Sequence, residues 1–243
     1  SDTAYYLNKR DRGFDICIYM LGADHHGYVA RLKTTAACVG DNPDSNIEVL
    51  IGQMVKIIEG GEELKLSKRA GTIVTLEELV EKVGVDAARY TLIRYPTDTP
   101  MVMDLDLLKR RTNENPVYYV QYAHARITAL LRNAEELKVA YGLDSYNPEL
   151  LEHGRERELL GALAEYPEIV AQAARLRRPH RIARFIEELA TLYHGFYNDC
   201  RVLPMGEERV SALHSARASL CAATAQTIKN GLSLLGVSAP ERM

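Results

Sequence analysis

From Leu107 onward, apolar side chains recur every three or four residues, and no stretch alternates apolar with polar as a half-buried strand would. Such spacing gives each helix one apolar stripe, and the stripes must bury against one another. Pro116, Val120, Ala123, Ile127, Leu130, Ala134 and Leu137 mark a first helix. Leu159, Leu163, Tyr166, Val170 and Ala173 mark a second, which Pro167 is expected to kink or break. Ile182, Ile186, Leu189, Tyr193 and Phe196 mark a third; Val210, Leu213, Leu220, Ile228 and Leu235 mark a fourth, closed by Gly236. Residues 106–243 are therefore expected to form a helical bundle.

Residues 1–105 have a different texture. An apolar run from Ile16 to Leu21 ends in Gly22, and Glu48 to Ile58 precedes Gly60 and Gly61, so both read as buried strands followed by turns. Between them Val29, Leu32, Ala36 and Val39 have helical spacing, which gives strand, helix, strand and suggests a parallel α/β layer. Thr75 is a plausible N-cap for a helix reaching about Lys82, with Gly84 placed as its C-cap. Asp86 to Tyr95 reads as a further helix stopped by Pro96.

Composition narrows the function. With 243 residues, 47% of them hydrophobic, the chain can build real cores, which excludes a disordered tail or a disulfide-stapled miniprotein. Thirty basic against 33 acidic residues give a net charge of -3, so any nucleic-acid site must be local. Residues 1–105 carry a net -4 and 106–243 a net +1, and 15 of the 18 bases in the latter part are arginine. Cys17, Cys38, Cys200 and Cys221 have no spacing suited to structural zinc or a disulfide framework. No membrane span or leader stands out, so a cytoplasmic setting is expected.

Three constellations can carry chemistry. Leu21 to Tyr28 (Leu-Gly-Ala-Asp-His-His-Gly-Tyr) follows a strand, where open α/β sheets bind ligands; Gly22 allows close backbone approach and Asp24 can accept from ribose hydroxyls. A structural turn capped by Asp24 explains the same residues, and a metal on His25 and His26 would need further ligands. Lys65, Lys68 and Arg69 crowd a short loop with Ser67, an arrangement that suits polyphosphate or else a solvated charged loop. Tyr119, Tyr122 and Arg126 lie off the apolar stripe on a common face suited to stacking unpaired bases, with inter-helix packing the competing role for Tyr118 and Tyr119. Five arginines between Arg175 and Arg184 form a local patch that fits phosphate binding or a solvated helix face.

Taken in order, Gly-Ala-Asp-His-His-Gly-Tyr, Gly52-Gln53-Met54-Val55, Lys-Leu-Ser-Lys-Arg-Ala-Gly and Asn115 to Arg126 (Asn-Pro-Val-Tyr-Tyr-Val-Gln-Tyr-Ala-His-Ala-Arg) resemble the class I arginyl-tRNA synthetases. The resemblance implies a mainly α chain: a partial Rossmann-like α/β segment, the C-terminal part of a class I catalytic domain over 1–105, followed by an α-helical anticodon-binding domain over 106–243. It implies an arginine-tRNA ligase using ATP, with Mg2+, L-arginine and arginine tRNA. Lys65 and Lys68 would then act on the ATP phosphates beside Ser67. Gly22 and Asp24 would hold the ribose, the backbone of Met54 and Val55 the adenine, and Asp2 the substrate guanidinium. Tyr122, Tyr197 and Arg126 would meet the anticodon loop. The His-x-Gly-His signature of the class does not occur in these residues, so the chain is expected to be a C-terminal portion, inactive alone, whose uncovered sheet favours self-association. The alternative is a non-catalytic tRNA-binding module that reuses the bundle.

Overall fold

The computed structural model describes residues 2–64 and 75–243. The chain divides into two compact units, one of residues 1–64 and 95–103, the other of 65–94 and 104–243. This grouping places the helices after residue 75 with the bundle, whereas the motifs alone put the division at 105.

In the first unit, helix α1 (Asp2–Asp11) precedes β1 (Cys17–Gly22), a 3-10 turn (Ala23–Tyr28), α2 (Val29–Cys38) and β2 (Ile47–Gly52). β1 and β2 pair in parallel from Cys17 beside Ile47 to Gly22 beside Gly52. Parallel pairing requires a crossover, and α2 supplies it. Tyr6, Cys17, Leu32, Ala36 and Ile47 are buried together, so α1 and α2 cover one face of the pair. Asp41 fixes this packing: it takes the Arg10 guanidinium at 2.8 and 3.1 Å and the Tyr6 hydroxyl at 2.7 Å. The Arg10 and Tyr6 hydrogen bonds hold its carboxyl below the usual carboxylate range.

The segment from Glu48 to Ile58 proves to be two strands. β2 ends at Gly52 and β3 (Val55–Glu59) begins after Gln53 and Met54, joining β4 (Glu62–Glu63) and β5 (Met101–Asp104) in a separate sheet. The break is held by Gln53 N–H donating to the Thr97 carbonyl at 2.8 Å, a partner remote in sequence and invisible to periodicity. Gly60 and Gly61 both have positive φ, as a two-residue hairpin turn requires. β5 and α1 are too short or too polar to have announced themselves.

The second unit contains α3 (Leu76–Val83), α4 (Val85–Arg94), α5 (Leu105–Leu108), α6 (Pro116–Glu136), α7 (Gly154–Arg175), α8 (His180–Asp199) and α9 (Ala212–Leu234). Thr75 and Glu78 form a reciprocal capping box at 3.1 and 3.0 Å, and Gly84 closes α3 as expected. The α6 and α8 stripes are buried, from Val120 to Ala134 and from Ile182 to Phe196. Leu137 and Val210, counted with the stripes, lie just outside their helices and are exposed. Of the kink or break expected at Pro167, the break does not occur: α7 runs on through it. Pro167 is exposed, so water can serve the Leu163 carbonyl that its missing N–H leaves without a donor.

Among the described residues of this unit, the pair between Glu156 and Arg217 is buried. Glu156, in the first turn of α7, accepts from Arg217 Nε of α9 at 2.6 Å and from the His153 N–H at 2.8 Å. Glu156 is 1% exposed at its side chain, so its charge depends on that guanidinium. Replacing Arg217 by Met is expected to destabilise the unit by about 3 to 5 kcal/mol in denaturant unfolding, and adding Glu156→Gln to recover much of that loss.

Candidate nucleic-acid interface

Helix α6 starts at Pro116, whose ring suits the first helical position, after Asn115. Its motif residues divide between two tasks. Gln121 points inward and donates to Asp86 Oδ2 at 2.8 Å and to the Ser238 carbonyl at 2.9 Å. His124 Nδ1 lies 2.9 Å from the Pro240 carbonyl. Both therefore bind the segment after α9 onto α4 and α6, helped by Arg89 Nε donating to the Leu235 carbonyl at 2.9 Å. At Gly236, with φ of 67°, a Cβ would meet that Arg89 side chain at 2.5 Å. The motif's Gln and His thus carry structure.

Tyr122 lies between them and points outward, 37% exposed. Its ring is nearly parallel to that of Tyr118, with centroids 6.1 Å apart and planes at 8°, as four-residue spacing on a helix permits. From α8 comes His194, whose ring lies 6.4 Å from Tyr122 and 5.4 Å from Tyr119. Tyr119 is tied to α8 by a 3.0 Å hydrogen bond with the Thr191 hydroxyl, so inter-helix packing wins for that residue. Tyr197 is 36% exposed, and the Arg126 guanidinium sits 4.2 Å from its ring centroid. That cation over a ring holds the guanidinium plane in place. Tyr193 and Phe196 are fully buried beneath, as their place on the stripe implies.

The structure thus gathers Tyr122, Arg126 and Tyr197, which the sequence leaves 75 positions apart at the extremes, into one exposed strip of rings and guanidinium. It adds His194, which motif reading missed. The available signal was its position three residues before Tyr197, one helical turn away on the same face. Burial, reinforced by the nearby Arg126 charge, holds the His194 imidazole pKa below its ordinary value. The arginines from 175 to 184 are less uniform than their spacing suggests. Arg175 pairs with Glu168 at 2.8 Å and Arg181 donates to Gln172 at 2.9 Å, while Arg177 turns the chain with a φ of 53°.

In the first unit, the parallel register sets Gly22 beside Gly52 at the carboxyl ends of β1 and β2. The turn bearing Asp24 and the link bearing Met54 therefore leave the same end of the pair, where α/β sheets bind ligands. Asp24 and Met54 are exposed, and the Met54 carbonyl accepts the Met101 N–H at 3.3 Å before β3 begins at Val55. A Cβ on Gly22 would fall 2.7 Å from Asp24 Oδ1, so only glycine leaves the carboxylate its position. Asp2 accepts a hydrogen bond from the Tyr28 hydroxyl at the end of that turn. His25 Nε2 lies 3.6 Å from Asp24, but among the described residues no group of three or more His, Cys, Asp or Glu side chains gathers to hold a metal. Lys65, Ser67 and Lys68 lie outside the described residues.

An α/β unit and a helical unit with a ring-bearing face together have counterparts among solved structures. The structure is similar along its whole length to that of a Campylobacter jejuni protein described as an arginyl-tRNA synthetase, at 30% identity and a TM-score of 0.84, covering 51% of that protein. The fold alone is shared with the Thermus thermophilus arginyl-tRNA synthetase, at 24% identity and a TM-score of 0.72 over 94% of this chain and 41% of that one. It is shared too with that of Plasmodium falciparum, at 16% identity and a TM-score of 0.70 over 99% and 43%. Residues 120–243 match the DALR anticodon binding domain, and the chain belongs to that family. It spans about half the length of the synthetases it matches. No helix among the described residues is long and apolar enough to cross a membrane.

Both His194 and His214 are held below the ordinary imidazole value of 6.5, in each case mainly by burial. The unfolded chain then binds more protons than the folded one as pH falls through that value. Stability is expected to drop over that range, and His194→Gln to flatten the dependence. Denaturant midpoints on either side of the imidazole range check this; an unchanged slope in the variant would place the titration elsewhere.

Proposed function

We propose that this chain forms the tRNA-reading and part of the nucleotide-binding portion of an arginine-tRNA ligase. The whole protein would join ATP and L-arginine into arginyl-adenylate with release of pyrophosphate, then pass the arginyl group to a hydroxyl of the terminal ribose of arginine tRNA with release of AMP. One observation carries this reading: Tyr122, Arg126 and Tyr197 converge on one exposed strip of a DALR unit. Rings open to solvent beside a guanidinium stack unpaired bases, the state of bases in an anticodon loop.

In the α/β unit, Gly22 and Asp24 would receive the ATP ribose and the Met54 and Val55 backbone the adenine, a role supported by their common place at the strand ends. Asp2 would receive the substrate guanidinium by paired hydrogen bonds, sharing its carboxylate with Tyr28. Lys65 and Lys68, beside Ser67, would neutralise charge as pyrophosphate departs. Mg2+ would arrive with ATP, and no step runs through a resident metal. A cytoplasmic setting belongs to the same reading. Exposed Ile18 and Met20, two residues apart on one face of β1, support self-association of the isolated chain.

Two measurements test this. Tyr122→Ala should weaken binding of an arginine tRNA anticodon stem-loop by about 1 to 3 kcal/mol if the ring stacks a base, with helicity unchanged; undiminished affinity would reduce Tyr122 to packing. In the whole protein, Lys68→Ala should remove arginine-dependent pyrophosphate exchange while arginine binding persists. Normal exchange would refute the role of that lysine on the phosphates.

A further inference from the structure

A groove of about 810 Å3 runs beside the first turns of α6, all of it within the helical unit. Lys82 at the end of α3, Lys109, Arg110 and Arg111 after α5, and Arg242 line it, against a single side-chain carboxylate, Asp86. Asp86 is engaged by Gln121 and by Ser238. Arg110 pairs with Glu114 at 3.1 Å and Lys109 approaches Asp106 at 3.9 Å. Arg111 and Arg242 are exposed and make no ion pair among the described residues. The turn carrying Lys109 to Arg111 is fixed from behind. The buried Asn115 amide donates to the Leu108 carbonyl at 2.9 Å and the Arg110 carbonyl at 3.0 Å. Two carbonyl partners identify the nitrogen end of that amide.

This groove is continuous with the ring strip. Tyr118 lines it and also stacks against Tyr122. A cationic channel running alongside aromatic rings is the arrangement that follows a single strand, with phosphates in the channel and bases on the rings.

We propose that this groove carries the ribose-phosphate backbone of the RNA strand whose bases meet Tyr122 and Tyr197, with Arg111 and Arg242 binding its phosphates and Asn115 as the positioning residue for the turn. The proposal rests on the tRNA-binding reading above and adds to it an interaction that is blind to base sequence. Gln121 lines the groove with its amide nitrogen already engaged by Asp86 and Ser238, and His124 lies on the buried side of α6 outside it.

The test measures binding of the full chain to an arginine tRNA anticodon stem-loop, and to the same loop with its anticodon bases changed, across a range of salt concentrations. Arg111→Gln with Arg242→Gln should weaken both RNAs alike, by roughly tenfold, and make the slope of log affinity against log salt shallower by about 1.4 to 1.8, or 0.7 to 0.9 for each phosphate no longer neutralised. Tyr122→Ala should weaken the matched loop and leave the slope in place. Both arginines are exposed and without ion pairs among the described residues, so the double variant should fold normally, which circular dichroism verifies. If the slope is unchanged in the double variant while Tyr122→Ala still weakens binding, the groove proposal fails and the anticodon reading stands. If pyrophosphate binds the parent chain but not the double variant and leaves bound RNA in place, the groove is a free-phosphate site and the backbone proposal is overturned. If the parent chain binds neither RNA, the tRNA reading fails and the groove with it.

Discussion

The burial of α8 organises the helical unit. This helix packs against α4, α6, α7 and α9, and Ile182, Ala183, Ile186, Leu189, Ala190, Tyr193 and Phe196 are all withdrawn from water. Each fully buried large apolar side chain contributes about 1.5 to 3 kcal/mol, so the rotation of α8 about its own axis is not free to drift. The approach of α9 is equally constrained: at Gly231 a Cβ would lie 2.5 Å from Ile186 Cγ2. With α8 set in this way, His194 and Tyr197 can face only one way, toward the outer side of α6. The exposed rings stand where they do because the residues between them are buried.

The same economy governs α6. Consecutive residues of one motif do opposite things: Gln121 and His124 reach inward to the segment after α9, and Tyr122 stays in solvent. Polar groups buried without partners are costly, and these two find theirs on backbone carbonyls far away in sequence. A second polar node reinforces the packing of α4 on α8. Glu187 takes both nitrogens of the Arg94 fork at 2.7 and 3.0 Å and the Tyr90 hydroxyl at 3.0 Å. Burial and the neighbouring Glu187 charge keep that hydroxyl protonated far above its usual range. The exposed ring strip therefore rests on a packed, hydrogen-bonded support.

In the α/β unit the decisive device is register. Parallel pairing of β1 with β2 sets two glycine-ended strands side by side, so two motifs about 30 residues apart leave from one end of the sheet. Neither motif alone identifies a ligand. Their juxtaposition gives Asp24 and the Met54–Val55 backbone a shared place, and the Tyr28 hydroxyl brings Asp2 to the same turn.

Much of this was legible in the sequence because it is local. Three- and four-residue apolar spacing marked the long helices, Thr75 and Gly84 marked the ends of α3, and Gly22 marked the end of β1. Those signals arise from the backbone geometry of a few neighbouring residues, and Tyr122, Arg126 and Tyr197 could be singled out because they break the apolar stripe or complete a motif. What needed the tertiary structure depends on partners distant in the chain. The break between β2 and β3 is made by Thr97, the continuity of α7 through Pro167 by its exposure, and the inward turn of Gln121 and His124 by Ser238 and Pro240. His194 joined the ring strip, and Arg111 and Arg242 met across one groove, only when helices far apart in sequence packed together. Periodicity specifies which face of a helix is buried; which residues share the exposed side is decided by long-range packing, and no spacing within one segment encodes it.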